Sequence, residues 1–523
     1  MAAPAGPVLA AAPVLGFLGA VLVAPVLALL ALALTQGTSW SLDAWLAPWT
    51  DAYLRQRLVW TLAQALVTAG AAVLLGLPLA WTLQRLEFPG RRAMASLVML
   101  PFVVPTLVAA LGVLALLGTR GWLARWTGLS FESGAVLLLY GNLFFNLCVV
   151  VRPTMGALQA VNATLWAAAR TLGASPWRVF WRLEWPLVRS AVWAAACLVF
   201  LYCFSGLGLA LVLGGQRYAT LEVEIYTLVA HELALGPASV LALWVAAGGV
   251  LVTAAYARLA ARAAVPLRVQ PLARAPVRGG KAALLVLCSY AVFVFFVLLP
   301  LASIALAAMN SVADWVGLWA DEEFWLALGN TLRFTAATVV LSSVLGLLHG
   351  LAAHRWRWMR AFLFAPLVVS SVMVGFGLLV LYPRWSASLW VLLAGYTLVA
   401  YPFVTQSVVN ALDAMPPQWL AAARLLGATP WRAFVRVTLP VLLPALRRGA
   451  AFAAATALGE FAVTLFLSRP EWTTLTTLIY QRLGRPGAAN LAQAQALAVG
   501  LLVLAWSIFR LLEGRPQPRN EHA

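Results

Sequence analysis

Residues 167–186 read AAARTLGASPWRVFWRLEWP and residues 421–440 read AAARLLGATPWRAFVRVTLP, with 13 of 20 positions identical at a constant offset of 254. In each copy a helix-forming run ends at a glycine, Gly173 or Gly427, where a left-handed C-terminal cap is expected. Ser175 and Thr429 follow as side-chain N-caps, with Pro176 and Pro430 at the first position of a second helix. That second helix is expected to stop at Pro186 and Pro440, which lack the next backbone donor. Each copy therefore encodes helix, sharp turn, helix. Trp177, Phe180, Trp181 and Trp185 share one face of the second helix, as do Trp431, Phe434, Val435 and Leu439 in the other copy. Arg178 and Arg182 are four apart on a common edge, and so are Arg432 and Arg436.

The rest of the chain is a very different medium. Of its 523 residues 63% are hydrophobic and only 10% charged, against roughly 25% charged in soluble proteins. Apolar runs reach the ~20 residues that a helix needs to cross the hydrocarbon of a bilayer. The short alternating segments of a β-barrel are not seen. The fold class is an all-α polytopic membrane protein. The net charge of +18 sits in short loops between spans, so it reads as membrane topology and gives no reason to expect nucleic acid as a partner. Cys148, Cys197, Cys203 and Cys288 all lie in apolar runs without CxxC spacing and read as small buried hydrophobes. The amino-terminal run lacks the basic segment of a signal peptide and is expected to be kept as the first span.

Twelve spans are expected, near 13–35, 58–83, 96–118, 135–153, 191–214, 236–260, 282–309, 325–353, 361–383, 387–409, 449–468 and 490–510. Placing both termini in the cytoplasm puts most Lys and Arg on that side, including Arg91, Arg92, Arg178, Arg268, Arg357 and Arg432. Most acidic residues, including Asp321, Glu322 and Glu323, then fall outside, which is the charge asymmetry that orients membrane proteins. The proline- and arginine-rich stretch 264–281 reads as a cytoplasmic linker between a repeat over 1–263 and a repeat over 282–523. The repeated loops, 162–188 and 416–442, each follow the fourth span of their own half, so the six-helix repeats are parallel and both loops face one side.

A short amphipathic helix with a basic edge can lie on lipid headgroups or dock into a protein groove. Lipid contact demands little sequence, whereas near-identical duplication of glycine, cap and proline suits two equivalent sites on a symmetric partner. At this point the loops resemble the EAA loop of bacterial ABC importer permeases. The matching residues are Ala168, Ala169, Gly173 and Pro186, and again Ala422, Ala423, Gly427 and Pro440. The resemblance implies a type I importer fold and a coupling helix seated in a cleft of an ATPase subunit, with Pro176, Arg178, Pro430 and Arg432 in the same docking loops. It also implies a periplasmic substrate-binding protein as partner and the bacterial inner membrane as location. The family's leading glutamate is replaced by Ala167 and Ala421. Two permease domains in one chain resemble the fused permeases of the thiamine and ferric-iron importers. Stretches 120–131, 140–153, 180–189 and 219–229 look more like the thiamine branch; ferric iron and polyamines are the alternatives.

The chain has a single lysine, Lys281, in a context that is no phosphate-binding P-loop, and its four histidines are scattered. It is therefore expected to bind no cofactor, with ATP–Mg held by two copies of a separate ATPase, and to be no enzyme. The clearest intramembrane charge is Glu460, placed within the eleventh span, where it can line a path for a cation or bond a neighbouring helix. Asn142 and Asn146 on the fourth span, with Tyr396, Tyr401 and Gln406 on the tenth, carry the same two readings, and helix-to-helix bonding is the commoner. An ion-coupled secondary transporter, the rival class, would need more embedded ionisable groups and leaves the duplicated loop unexplained.

Overall fold

The computed structural model describes residues 6–35, 42–263, 272–309, 312–363, 365–386, 388–467 and 469–513. Among these, eleven helices are long and apolar enough to cross a membrane. In the first half they include Ala11–Leu34, Ala52–Arg85, Ala135–Gln159, Pro176–Phe204 and Leu235–Ala263, the first, second, fourth, fifth and sixth spans. In the second half Gly280–Met309, Glu322–Arg355, Leu389–Ala414, Pro430–Gly459 and Ala488–Glu513 are the seventh, eighth, tenth, eleventh and twelfth.

The third and ninth spans depart from expectation. Pro101 and Pro105 break the expected run 96–118, leaving a 3-10 turn Leu100–Phe102 and a helix Thr106–Leu117. The expected ninth span 361–383 is divided likewise into Arg357–Leu363, Ala365–Val368 and Ser371–Leu381. Ser370 restarts the chain there, its side chain accepting the Met373 N–H at 3.1 Å. Thr106–Leu117 reaches spanning length only with the Trp122–Thr127 helix that follows it, as Thr106–Thr127, whereas Ser371–Leu381 falls short. Both halves thus run in the same order: long helix, short helix, long helix, paired loop helices, long helix, break, short helix, long helix. The second short helices are Leu221–Ala230 and Leu475–Gly484.

Packing divides the chain into two units that do not coincide with the repeats 1–263 and 282–523. One contains Met1–Thr38, Val103–Pro105 and Ser311–Ala523, and the other Ser39–Phe102 and Thr106–Asn310. The first span packs with the second half of the sequence and the seventh with the first half. The reason is a matched pair of close approaches. A Cβ on Gly377 would lie 2.9 Å from Pro25 Cβ, and a Cβ on Gly112 would lie 2.8 Å from the Pro300 carbonyl. Only glycine lets the short third and ninth helices come so near these prolines. Ser303 Oγ donates to the Gly112 carbonyl at 3.0 Å, and Tyr382 Oη donates to Ala20 at 3.1 Å.

Proline also shapes four helices from within. The segments Gly19–Val23, Phe180–Glu184, Val294–Leu298 and Phe434–Thr438 are π-helical. Each is followed, two residues later, by Pro25, Pro186, Pro300 or Pro440. A proline in a helix clashes with the carbonyl four residues earlier, and in all four cases that carbonyl is the centre of the π segment. The wider turn relieves the clash without ending the helix. Of the linker 264–281, residues 264–271 lie outside the described residues; further on, Ala275–Pro276 pairs in parallel with Leu86–Glu87 at the end of the second span.

Gly377→Val and Gly112→Val should each overpack their contact, costing about 1–3 kcal/mol, whereas Gly16→Ala, with nothing within 4 Å, should be neutral. Thermal midpoints of the purified protein test this: equal midpoints for all three variants would remove the glycine contacts as the basis of the exchange.

Candidate functional site

The two loops are built alike to within the precision of their geometry. Gly173 has φ 78° and Gly427 φ 79°, a backbone region that other residues enter only under strain. The N–H groups of Gly173 and Ala174 close on Arg170 and Ala169 at 3.0 and 3.1 Å; those of Gly427 and Ala428 close on Arg424 and Ala423, both at 3.0 Å. These bonds satisfy carbonyls that the first helix, Ala163–Thr171 or Pro417–Leu425, leaves open at its end. Ser175 Oγ accepts the Arg178 N–H and Thr429 Oγ1 the Arg432 N–H, each at 3.3 Å. Pro176 and Pro430 stand at the first helical turn, where no donor is needed.

One expectation is corrected. The second helices do not stop at Pro186 and Pro440: each passes through its π turn into the fifth or eleventh span. The N–H of Trp185 bonds Phe180 and that of Leu439 bonds Phe434, five residues back, so the helix absorbs the proline instead of breaking. Loop and span form one continuous rod in each half.

Both loops offer the same surface. Leu172 and Leu426 are 88% and 89% exposed, and Trp177 and Trp431 are 70% and 71% exposed. Ala168, Ala422, Pro176, Pro430, Arg178, Arg432, Pro186 and Pro440 are also exposed, while Ala169 and Ala423 are half-buried. Ala167 and Ala421 present methyl groups at the surface where the resembling loops carry glutamate. The copies differ both outside, with Thr171 against Leu425 and Trp181 against Val435, all exposed, and inside, with Val179 against Ala433 and Glu184 against Thr438, all buried.

The polar residues proposed for a path fall into separate networks. In one unit Asn142 Nδ2 donates to Gln64 Oε1 at 2.8 Å, and Gln64 Nε2 donates to the Cys203 carbonyl at 2.8 Å. Asn146 donates to the Asn142 carbonyl at 2.9 Å and approaches Cys203 Sγ at 3.4 Å. In the other unit Glu460 is not inside a continuous span. It stands at the break where Pro430–Gly459 ends and Ala462–Leu467 begins, because its carboxylate caps the new helix, accepting the Val463 N–H at 3.0 Å. Ser371 Oγ reaches the second carboxylate oxygen at 3.5 Å, and Thr476 Oγ1 donates to the Glu460 carbonyl at 3.1 Å. Tyr396 bonds Thr464 and lies 3.5 Å from that same carbonyl. Tyr401 is buried with its ring stacked on His349 at 5.8 Å, and Gln406 is exposed, bonded to Asn410 at 2.9 Å. Among the described residues each group except the buried Tyr401 hydroxyl has a local hydrogen-bond partner, and Asn142 and Asn146 share one network through Gln64 and Cys203.

Sequence reading passed over several buried charges. Arg57 lies 3.5 Å from Glu224, which also accepts from Tyr53 Oη at 2.8 Å, joining the start of the second span to the short helix Leu221–Ala230. In the other unit Arg482 pairs with Asp321 at 2.6 Å and Glu323 at 2.8 Å, joining Leu475–Gly484 to the start of the eighth span. The same tie is made twice with the signs exchanged between helices. Glu224 was visible with Glu222 as one of two acids in the otherwise apolar run 219–229, which the span assignment left in a loop. Arg85 and Glu184, 3.0 Å apart and buried, were likewise hidden in basic loop sequence.

The family model for binding-protein-dependent transport system inner membrane components matches this chain twice, over residues 72–265 and 342–513. Each match holds one copy of the loop. The chain belongs to this family. As one of these permeases it is a multi-pass inner-membrane transport protein. It is similar to the thiamine transport system permease protein ThiP of Haemophilus influenzae, with 26% identity over 89% of both chains. The corresponding protein of Escherichia coli is 27% identical over 91% of each chain, and that of Brucella abortus strain 2308 is 29% identical over 91% of this chain and 90% of its own. The sulfate transport system permease protein CysW of Synechocystis is 30% identical over 37% of this chain and 73% of its own.

With Glu460 acting as a cap, Glu460→Gln keeps an acceptor for Val463 and should transport normally, whereas Glu460→Ala should lose about 1–3 kcal/mol of stability. Uptake abolished by Glu460→Gln in a fully folded protein would restore the carboxylate charge to the transport path.

Proposed function

We propose that this chain is the membrane-spanning subunit of an ATP-driven importer for thiamine or its phosphates, delivered by a periplasmic binding protein. The substrate assignment is supported by relatives named as thiamine permeases along about nine-tenths of the chain. Two copies of one ATPase are proposed to dock on the loops 162–188 and 416–442, holding ATP–Mg while this chain binds no nucleotide and no cofactor. The observation that carries this reading is the matched exposure of Leu172, Trp177 and Arg178 with Leu426, Trp431 and Arg432. A single kind of partner needs the same face twice. Both loops and both termini are placed in the cytoplasm.

The rods suggest how such docking does work. A docked helix that continues into the fifth or eleventh span transfers a push directly to the transmembrane bundle, without a hinge of loose chain. Closure of the ATPases on ATP then switches the bundle between outward and inward access. The missing glutamates leave Arg170, Arg178, Arg424 and Arg432 as the charged groups of the contact.

Reconstitution with the co-purified ATPase and binding protein should give thiamine accumulation that requires ATP. Uptake sustained by a proton gradient alone would reject the ATP-driven reading, and a binding protein loaded with iron or polyamine would replace the substrate. Gly173→Val with Gly427→Val forces a branched residue into the left-handed region at ~1–2 kcal/mol per copy and should reduce uptake several-fold with insertion intact. Normal uptake with normal ATPase recovery would remove the loops as the docking sites.

A further inference from the structure

The two loops match at leucine, tryptophan and arginine on their outer faces and differ where they meet the membrane bundle. Glu184 is the last residue of the first π turn, and both of its carboxylate oxygens are engaged. Oε1 accepts from Arg85 Nε at 3.1 Å and lies 3.0 Å from Arg85 Nη2, while Oε2 accepts from Trp81 Nε1 at 3.0 Å. The side chains of Arg85 and Glu184 are 5% and 3% exposed, so water does not compete for this pair. Arg85 is the last residue of the second span and Trp81 lies one turn before it. The π turn of the fifth span is therefore clamped to the end of the second span.

The second half keeps an arginine at one corner of this arrangement and replaces its two partners. The second and eighth spans are both 34 residues long, so Arg355 and Leu351 stand where Arg85 and Trp81 do. Thr438 stands where Glu184 does, buried, and among the described residues its hydroxyl makes no bond to the eighth span. Arg355 is exposed. The end of the eighth span is tied elsewhere: His354 lies 3.4 Å from Asp413 at the end of the tenth span, and Arg360 donates to the same carboxylate at 2.7 Å. The matching tie in the first half is a neutral one, Gln159 to Gln84 at 3.3 Å. So the first loop is held by its own helix, and the second only through its neighbour.

We propose that Arg85, Glu184 and Trp81 form a positioning cluster that locks the first docking helix to the second span, making the two docking sites mechanically unequal. The inference rests on the docking reading above. A π turn is the weakest point of a helix, with stretched geometry and one residue in excess. Pinning its last residue through two hydrogen bonds and an ion-pair contact converts a candidate hinge into a rigid joint. A push on the first loop then moves the second and fifth spans together. A push on the second loop is partly lost in bending at Phe434–Thr438. Identical ATPase subunits would thus drive the bundle through one stiff and one compliant lever.

The test reads stiffness directly. A spin label is placed at Arg182→Cys or Arg436→Cys in the full chain, with Cys197 and Cys288 replaced by Ala, in lipid discs. The label at 182 should be less mobile than the label at 436. Arg85→Leu with Glu184→Leu removes both charges together, so that neither is left buried alone, and should raise the mobility at 182 to that at 436. Thr438→Val should change neither. In the complete transporter the double variant should still bind the ATPase and hydrolyse ATP while moving several-fold less thiamine per ATP. Equal mobility at the two positions in the parent chain, or mobility at 182 unchanged by the double substitution, overturns the proposal, and the parent comparison stands even if the double variant does not fold. Failure of the ATPase to co-purify with the parent chain would instead count against the docking reading and leave the mobility result standing.

Discussion

A helix that stops inside hydrocarbon leaves its last carbonyls without donors, and nothing in lipid can supply them. The fifth and eleventh spans both break among buried residues, at Phe204 and Gly459, and a set of buried polar groups serves those ends. In the first half Gln64 reaches across to the Cys203 carbonyl and is itself held by Asn142. In the second, Thr476 and Tyr396 converge on the Glu460 carbonyl while the Glu460 side chain caps the helix that follows. One backbone problem is solved twice with different side chains. Divergence between repeats is cheap here because the demand is for a donor at a place, and amide, hydroxyl and phenol all meet it.

The same constraint explains what could and could not be read from the chain. Caps are local, so Gly173, Ser175 and Pro176, with their counterparts at 427, 429 and 430, were legible from spacing alone. The fate of Pro186 and Pro440 was not, because a proline ends a helix in water but is carried through a π turn when both sides of it are packed. The ninth span was read as continuous because hydropathy registers apolar content and not the Ser370 cap that divides it. Exchange of the first spans depends on Gly112 meeting Pro300 and Gly377 meeting Pro25, pairs far apart in the chain. No window of sequence contains them. Glu460 was found as a residue with a structural bond among its readings, but it was placed inside a continuous span, since hydropathy does not show the helix boundary one residue away.

Duplication followed by fusion frees each half to change alone, and where the halves have changed is informative. Their outward loop surfaces have stayed matched at leucine, tryptophan and arginine, although a fused chain has no internal need for that symmetry. Inward, the halves have drifted to opposite solutions. Arg57 on the second span meets Glu224 on the short helix, while the eighth span supplies Asp321 and Glu323 to Arg482. A charge exchange preserves the tie and reverses the local field on either side of it.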